Sequence, residues 1–427
     1  MSAGNDTFTT VTETSWFSRL GSSFGGIGAG LVLFVIATVL LYWNEGRAVR
    51  TGDAIAEAQM AAEPMPSITK IDPAFEGKMV FATGKAVTSD EITDSIFGIK
   101  TKAVRLSRRV EYYQWVEESR QEKRTKMGGG EETVTTYSYK QAWVSSPVDS
   151  QGFQRPEGHE NTVRIQVEDE QQYAQNVTFG AYRLPDFFIR SISGEKALNL
   201  SLSDADRAKL QRDFFSRDPR DMNGQASGNA FGDAGYNKNG YAQNGSAGPA
   251  SMIHSQGNTI YVGRQPSAPR VGDARVSFFE VKPAEISLLA KVSGDTFVQF
   301  RASNGQAFSR LSMGVRDMNG MFEDAKSAND TLTMVLRIVG VILCIVALRM
   351  VVAPIRIVAD VIPLLGSIVG AGTGLAAILL GAAWSCIIIA VAWIRFRPVL
   401  GCILLAAAVV LIGFLYMRGR SRKSQAA

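Results

Sequence analysis

Long runs of apolar residues alternate with polar, strand-like sequence along this chain, and four of the runs predict membrane-spanning helices. The first covers residues 24–43 and contains no charged residue. That length is about the ~20 residues that an apolar helix needs to cross a bilayer. Three more runs occupy residues 332–350, 363–393 and 399–417. The pattern predicts an integral membrane protein with one large extramembrane domain, residues 44–331, between the first and second spans.

Within residues 44–331 the pattern changes to short runs rich in β-branched and aromatic residues, which is typical of strands. Two such runs, 103–116 and 133–144, flank a charged connector that contains three consecutive glycines, and together they predict a long hairpin. The expected fold class is therefore α+β, with four transmembrane helices and a mostly β extramembrane domain. Further strands are predicted at 79–82, 163–167, 259–263, 272–281, 285–292 and 296–300, and helices at 52–62, 204–215 and 313–328.

Three remaining segments have no clear strand or span pattern. Residues 1–23 form a polar N-terminal tail, and residues 351–362 are an interfacial loop or a short helix. Residues 223–250 are rich in Gly, Asn, Ala and Ser and predict a flexible insertion, because they cannot bury enough apolar surface to order themselves.

The basic tail 418–427 indicates sidedness, because basic residues beside a span stay on the cytoplasmic side. With four spans the domain then lies in the periplasm, or in the lumen of a eukaryotic compartment. By the count of four spans, the connection that contains Arg349 and Arg356 faces outward and the one that contains Arg395 and Arg397 faces inward. The second pair agrees with the rule for basic residues, whereas Arg47 and Arg50 after the first span disagree with it.

Small residues recur along one face of two predicted spans. Gly366, Gly370 and Gly374 are spaced four apart, as are Gly26 and Gly30. Such faces allow the backbones of two helices to approach closely in a membrane. Three interpretations remain open: packing of spans within one subunit, homo-oligomerisation, or a pore lined by small residues.

Aromatic and basic residues flank the spans where a bilayer interface is expected. Tyr42, Trp43 and Trp393 are predicted membrane-interface anchors, together with Arg47 and Arg397. In this interpretation Asn44 and Glu45 end the first helix and Arg47 contacts lipid phosphate.

Composition gives no indication of catalysis. The net charge of +5 is too small to argue for nucleic acid, and the three cysteines lie in predicted spans. His159 and His254 are the only histidines, and both are interpreted as exposed loop residues. No nucleotide-binding, hydrolase or metalloprotease motif occurs. We therefore expect no catalytic residue, no cofactor and no metal site.

Several ordered motifs resemble one family. The chain is similar to the LUMA family, also called the transmembrane protein 43 family, and the resemblance favours a prokaryotic member. The motifs that carry the resemblance include Asn44, Glu45, Gly46 and Arg47 after the first span, Tyr112, Gln114 and Trp115 in the predicted hairpin, Gly272, Asp273 and Arg275 in a later strand, and Asp360 with Pro363.

The resemblance implies four spans, a large lumenal or exterior domain, and self-association. Eukaryotic members reside in the endoplasmic reticulum and inner nuclear membrane and are associated with lamins and emerin, whereas a prokaryotic member would lie in the bacterial inner membrane. The expected function is a non-enzymatic membrane scaffold whose partners are the lipid bilayer, a second copy of the chain and other membrane proteins. A channel or channel modulator, and a membrane-bound hydrolase, are the alternatives.

Overall fold

The structure is a computed structural model that describes residues 6–215 and 251–399. The predicted insertion at 223–250, the predicted fourth span apart from its first residue, and the basic tail 418–427 lie outside the described residues.

Three of the described helices are long and apolar enough to cross a membrane, namely α1, α4 and α5. The other two are short helices of the sheet-rich domain. The bounds are α1 Trp16–Ala61, α2 Asp186–Ile189, α3 Asp204–Phe215, α4 Met318–Ala359 and α5 Pro363–Phe396.

Helix α1 is longer than the predicted span at both ends. It begins after Ser15, whose hydroxyl oxygen accepts a hydrogen bond from the Ser18 amide at 3.2 Å, as a helix N-cap does. It continues to Ala61 because residues 44–61 contain no proline and are rich in helix-favouring alanine. The prediction that the first helix ends at residues 44–45 is therefore wrong, whereas the part of α1 that crosses the membrane, residues 24–43, remains a prediction.

Helix α4 also passes through its predicted boundary. It runs unbroken from Met318 to Ala359 with Pro354 inside it. The segment predicted as a loop or short helix, 351–362, is therefore mostly the last turns of α4. Asp360 follows the helix end, and Pro363 opens α5 at a position where its missing N–H leaves no hydrogen bond unmade.

The domain is built on two sheets. The first has the order β1-β7-β6-β14-β13-β12, with β11 beside β14 and β8 beside β6, and the second has the order β19-β15-β16-β10-β9-β3-β2, with a further β15–β3 pairing. The strands are β1 Thr7–Thr14, β2 Ala62–Pro64, β3 Met79–Thr88, β4 Ile92–Thr93, β5 Lys100–Thr101, β6 Arg105–Thr125, β7 Glu131–Val144, β8 Glu170–Tyr173, β9 Val177–Phe179, β10 Tyr182–Arg183, β11 Lys196–Ala197, β12 Ile253–Gln256, β13 Thr259–Val262, β14 Ala274–Val281, β15 Ala284–Ser293, β16 Thr296–Val298, β17 Phe300–Arg301, β18 Ala307–Phe308 and β19 Arg310–Met313.

One hydrophobic core joins the two sheets. Tyr112 and Phe278 enter it from the first sheet, and Phe179 and Leu288 from the second. The predicted strand at 163–167 is wrong, because this segment has no strand pairing, although Ile165 and Val167 still enter the core.

A second, smaller core attaches the long helices to the domain. Ile55 of α1 and Phe322 of α4 pack against Met79 and Leu289 of the second sheet. The C-terminal part of α1 and the N-terminal part of α4 therefore stand on the domain, and their apolar parts extend away from it.

A three-stranded extension of the first sheet runs beside these helices. We call residues 7–14, 117–125 and 131–139 the polar arm. Strand β6 has 21 residues, which span about 66 Å at ~3.3 Å per residue. Its first part pairs with β14 up to Tyr112, and beyond that it continues with β7, against which β1 pairs on the other side.

The polar arm corrects two expectations. The charged connector at 117–132 is not a loop, because both strands continue through it and turn only at Gly128 and Gly129, whose φ angles of +88° and +81° favour glycine. Residues 7–23 are not a simple tail, because β1 pairs with β7 from Thr7↔Ser138 to Thr14↔Glu131 and α1 follows.

Candidate functional site

The tip of the polar arm meets the helices at the end opposite the domain, which we call the far end. The Arg19 guanidinium donates to the Gly129 carbonyl at 2.5 Å and to the Asp360 carboxylate at 2.7 Å. The Gly128 amide donates to the Val361 carbonyl at 3.1 Å, and the Trp16 indole donates to the Ile357 carbonyl at 2.8 Å. These contacts join the arm to α1 and to the connection between α4 and α5, and they join α1 to α4.

At the other end of the spans, which we call the body end, a buried carboxylate joins three helices. Glu45 of α1 is 1% exposed. Its two oxygens accept hydrogen bonds from Arg337 of α4 at 2.6 and 2.7 Å, and the Trp393 indole of α5 donates to it at 2.8 Å. The carboxylate therefore has a charged partner and a neutral donor, as a buried charge requires.

Two neighbours of Glu45 strengthen the same junction. Asn44 donates to the Thr333 carbonyl at 3.0 Å. Arg47 donates to the Asn329 side chain at 2.9 Å and to the Thr333 hydroxyl at 2.7 Å. The prediction that Asn44 and Glu45 cap the helix is wrong, because both are buried inside α1 and bind α4.

The two ends are separated by a distance that suits a bilayer. Arg19 and Glu45 are 26 residues apart in α1, or about 39 Å at ~1.5 Å per residue. A hydrocarbon core of ~30 Å fits between them. Tyr42 and Trp43, 39% and 49% exposed, lie at the body end with Arg397. Their anchoring role remains a prediction.

Most of the predicted glycines, but not all of them, lie at a close contact with another part of the chain. A Cβ at Gly30 would lie 2.9 Å from the Ala347 carbonyl oxygen of α4, whereas a Cβ at Gly26 would have nothing within 4 Å. The three predicted glycines of α5 all face α4: Gly366 lies against Asp360, Gly370 against Arg356 and Gly374 against Arg349. Packing within one chain explains four of the five predicted glycines, and oligomerisation through them remains a prediction.

A second small-residue face on α5 was not predicted. A Cβ at Gly381 would lie 3.0 Å from the Ile345 backbone nitrogen of α4, and Ala377 and Ser385, four residues to either side, are buried. The four-residue spacing of these three small residues is the sequence signal that could have identified this contact.

The connectivity reverses both assignments of charge. Since α4 leaves the domain and α5 returns to it, Arg349 and Arg356 lie at the far end, and Arg395 and Arg397 lie at the body end. Relative to the domain, the outward placement predicted for the first pair and the inward placement predicted for the second pair are both wrong.

The motif residues of β6 hold a long loop against the domain. The Tyr112 hydroxyl donates to the Val167 carbonyl. The Gln114 side chain donates to the Thr162 carbonyl at 3.2 Å and accepts from the Val148 amide at 2.6 Å. The amide of Trp115 donates to the Asn161 side chain at 2.8 Å. These contacts are structural, and they continue the sheet into the polar arm.

The second motif, at the start of β14, centres on a buried carboxylate. Asp273 is 1% exposed and accepts hydrogen bonds from Arg164 at 2.7 Å, the Tyr261 hydroxyl at 2.5 Å and the Arg270 amide at 2.9 Å. Gly272 before it has φ +96°. Arg275 pairs with Glu111 on the neighbouring strand at 2.5 Å.

The base of the arm contains a buried histidine that the sequence did not reveal. His159 is 2% exposed, not an exposed loop residue. Its Nε2 lies 2.8 Å from the Asp6 carboxylate and its Nδ1 lies 2.9 Å from the Arg155 carbonyl. Tyr139 stacks on the ring at 4.0 Å. Burial and a hydrogen bond donated to Glu117 raise the pKa of Tyr139 to about 12.

Comparison with known proteins identifies the family. The family model described as Transmembrane protein 43 matches residues 112–398. The chain belongs to the transmembrane protein 43 family. Human Transmembrane protein 43 is 27% identical over 421 residues, covering 96% of this chain and 94% of the human protein. The Drosophila melanogaster homologue is 26% identical, covering 90% of this chain and 93% of the fly protein.

No solved structure matches the chain. Membership of the family and three apolar helices of spanning length make the chain a multi-pass integral membrane protein. The matched range includes the buried motif residues of β6 and β14 as well as Asp360 and Pro363.

Proposed function

We propose that the chain is a non-enzymatic membrane scaffold that self-associates, and that its exterior domain binds other membrane proteins. The observation that carries the proposal is the polar arm. It joins the exterior domain to the far end of the helices and therefore runs past the apolar surface of the spans.

The arm is chemically unsuited to lipid. Its β6 strand carries Glu118, Arg120, Glu122, Lys123 and Arg124, all exposed. Two backbone edges are open among the described residues, because β1 ends the sheet and β6 beyond Tyr112 pairs only with β7. Open sheet edges do not occur in the hydrocarbon of a bilayer, since each unpaired backbone group there costs several kcal/mol.

The exposed face of α1 has the opposite character. Leu31, Val32 and Val35 are 55–62% exposed, as expected for side chains that face lipid. One molecule therefore presents a lipid-facing surface and a surface that lipid cannot cover. Association of copies, with the arms turned towards each other and the apolar helices outward, satisfies both surfaces.

This arrangement supports a scaffold role. Within residues 6–215 and 251–399 no group of three or more His, Cys, Asp or Glu side chains could hold a metal ion, and the buried polar motifs described above are occupied by structural hydrogen bonds. A fixed connection between the exterior domain and both ends of the spans suits a protein that organises partners across a membrane.

A channel is the second candidate, and the same observation favours it. Arms that face one another in an assembly would line the space between copies with hydroxyl and charged groups, and water would fill that space. A polar path through the membrane would then lie beside the spans.

The test is the assembly state of the full chain in lipid nanodiscs. We expect a single defined oligomeric mass. In a variant whose native cysteines are replaced, Gln121→Cys on the arm should cross-link between copies with a short bismaleimide. The matched control Met60→Cys, at a residue 82% exposed near the end of α1, should not cross-link.

A monomeric mass together with no arm cross-link would contradict the proposal. Ion flux from dye-loaded liposomes separates the two candidates, because a scaffold leaves the liposomes tight and a channel does not.

A further inference from the structure

A cleft of about 370 Å³ opens between α4 and α5 near the far end. Its walls are unusual for a membrane span, because two arginines of α4, Arg349 and Arg356, face two glycines of α5, Gly370 and Gly374. Apolar side chains of α4, among them Val346, complete the lining.

The two arginines share one face of α4, because seven residues make about two turns of helix. Each guanidinium lies over one glycine. A Cβ at Gly374 would be 3.6 Å from Arg349 Nη2, and a Cβ at Gly370 would be 3.0 Å from Arg356 Nε. The cleft has room because Gly370 and Gly374 of α5 have no side chains to fill it.

Neither guanidinium has an acidic partner among the described residues. The nearest carboxylate in sequence, Asp360, is bound by Arg19 at 2.7 Å. Residues 400–427, which follow α5, contain no Asp or Glu. The cleft therefore carries two positive charges that no nearby carboxylate of α4 or α5 neutralises.

The depth of the cleft matches a lipid headgroup. Arg349 and Arg356 are 12 and 19 residues beyond Arg337 of the body-end junction. These intervals correspond to about 18 and 28 Å along the helix. With a hydrocarbon core of ~30 Å, the Arg356 side chain reaches the interface of the far-end leaflet, and Arg349 lies deeper, at the inner end of the cleft.

We propose that this cleft binds the phosphate of an anionic phospholipid from the far-end leaflet. Guanidinium groups suit phosphate because their N–H donors form parallel hydrogen bonds to its oxygens. Two guanidinium groups can donate to the oxygens of one phosphodiester, and their excess of positive charge favours a lipid of net negative charge over a zwitterionic one. The glycine-lined floor admits the headgroup, and Val346 and neighbouring apolar residues contact the start of an acyl chain.

The experiment is native mass spectrometry of the full-length protein in detergent, titrated with phosphatidylglycerol or with phosphatidylcholine. The wild type should retain phosphatidylglycerol in preference. Each arginine contributes about fivefold to anionic lipid binding, so Arg349→Gln with Arg356→Gln should weaken phosphatidylglycerol binding about 25-fold. The control double variant Lys100→Gln with Lys282→Gln, on the sheet-rich domain with side chains 59% and 66% exposed, should bind as the wild type does.

A second variant guards against a folding defect. Gly374→Val keeps both arginines but fills the cleft, and it should also lose the preference. Soluble glycerol phosphate should fail to displace the lipid, because it lacks the acyl chain. Equal binding of the two lipids by the wild type, unchanged binding in both cleft variants, or displacement by glycerol phosphate alone would overturn the proposal.

Discussion

Replacing Glu45 by leucine is expected to lower the free energy of unfolding of the helix bundle by about 3–5 kcal/mol, the cost of leaving one partner of a buried ion pair alone. The Arg337 guanidinium would lose both of its hydrogen bonds to the carboxylate, and the Trp393 indole would lose its acceptor. Three helices meet at this carboxylate, so α1, α4 and α5 should all loosen.

A double-mutant cycle isolates the pair. Arg337→Leu alone should also destabilise, and the double variant should be more stable than the sum of the two single effects predicts. Thermal unfolding in detergent measures each change. The matched control is Glu63→Gln, which removes an exposed pair with Lys78 at 2.9 Å, worth about 0–1 kcal/mol. If the two single losses of stability simply add in the double variant, Glu45 and Arg337 do not stabilise each other, and the ion pair described here would be contradicted.

Replacing Gly30 by leucine is expected to push α1 and α4 apart. A Cβ at this position would lie 2.9 Å from a backbone oxygen of Ala347 and 3.0 Å from the Met350 Cβ. Backbone cannot rotate away as a flexible side chain does, so we expect a cost at the upper end of the ~1–3 kcal/mol range for overpacking.

The control lies one helical turn away. Gly26→Leu adds the same side chain to the same helix, at a position with nothing within 4 Å. Thermal unfolding of both variants should show a clear loss for Gly30→Leu and little change for Gly26→Leu. Equal losses of stability would contradict the structure, in which Gly30 packs closely against α4 and Gly26 does not.

The sequence revealed the apolar spans and most strands because their signals are local. Runs such as residues 24–43 lack charge, β14 alternates between buried and half-buried positions, and β15 contains a continuous run of buried residues. The register of the long hairpin is also partly local, since Tyr113 and Trp143 pair across its strands with ring centroids 5.2 Å apart. Turn residues at Gly128 and Gly129 then complete the hairpin.

Long-range contacts could not be predicted in the same way. Glu45 was interpreted as a helix end because a charged residue beside an apolar run is usually at the surface, and its partner Arg337 is 292 residues away. The strand β1 is mostly polar, with a single apolar residue on each face, Phe8 and Val11, so its sequence does not indicate which strand it pairs with. Only its pairing with β7 reveals it.

The glycine spacing predicted some helix contacts correctly and others not. The four-residue spacing correctly indicated a close approach at Gly30, but the same spacing at Gly26 led to no contact within the chain. Spacing defines a face of one helix, whereas the tilt of the neighbouring helix decides which part of the face is used.

The side of the membrane on which the arm tip lies decides whether the polar arm runs along the spans from the domain to the far end. Met127, 88% exposed in the turn of the arm, would be replaced by cysteine in a chain whose native cysteines are removed. The protein would be reconstituted in sealed liposomes of known orientation and exposed to a membrane-impermeant maleimide. A control cysteine at Met60 reports the side of the domain. We expect Met127→Cys to react only from the side opposite to Met60→Cys. Reaction of both cysteines from the same side would contradict the placement of the polar arm along the spans.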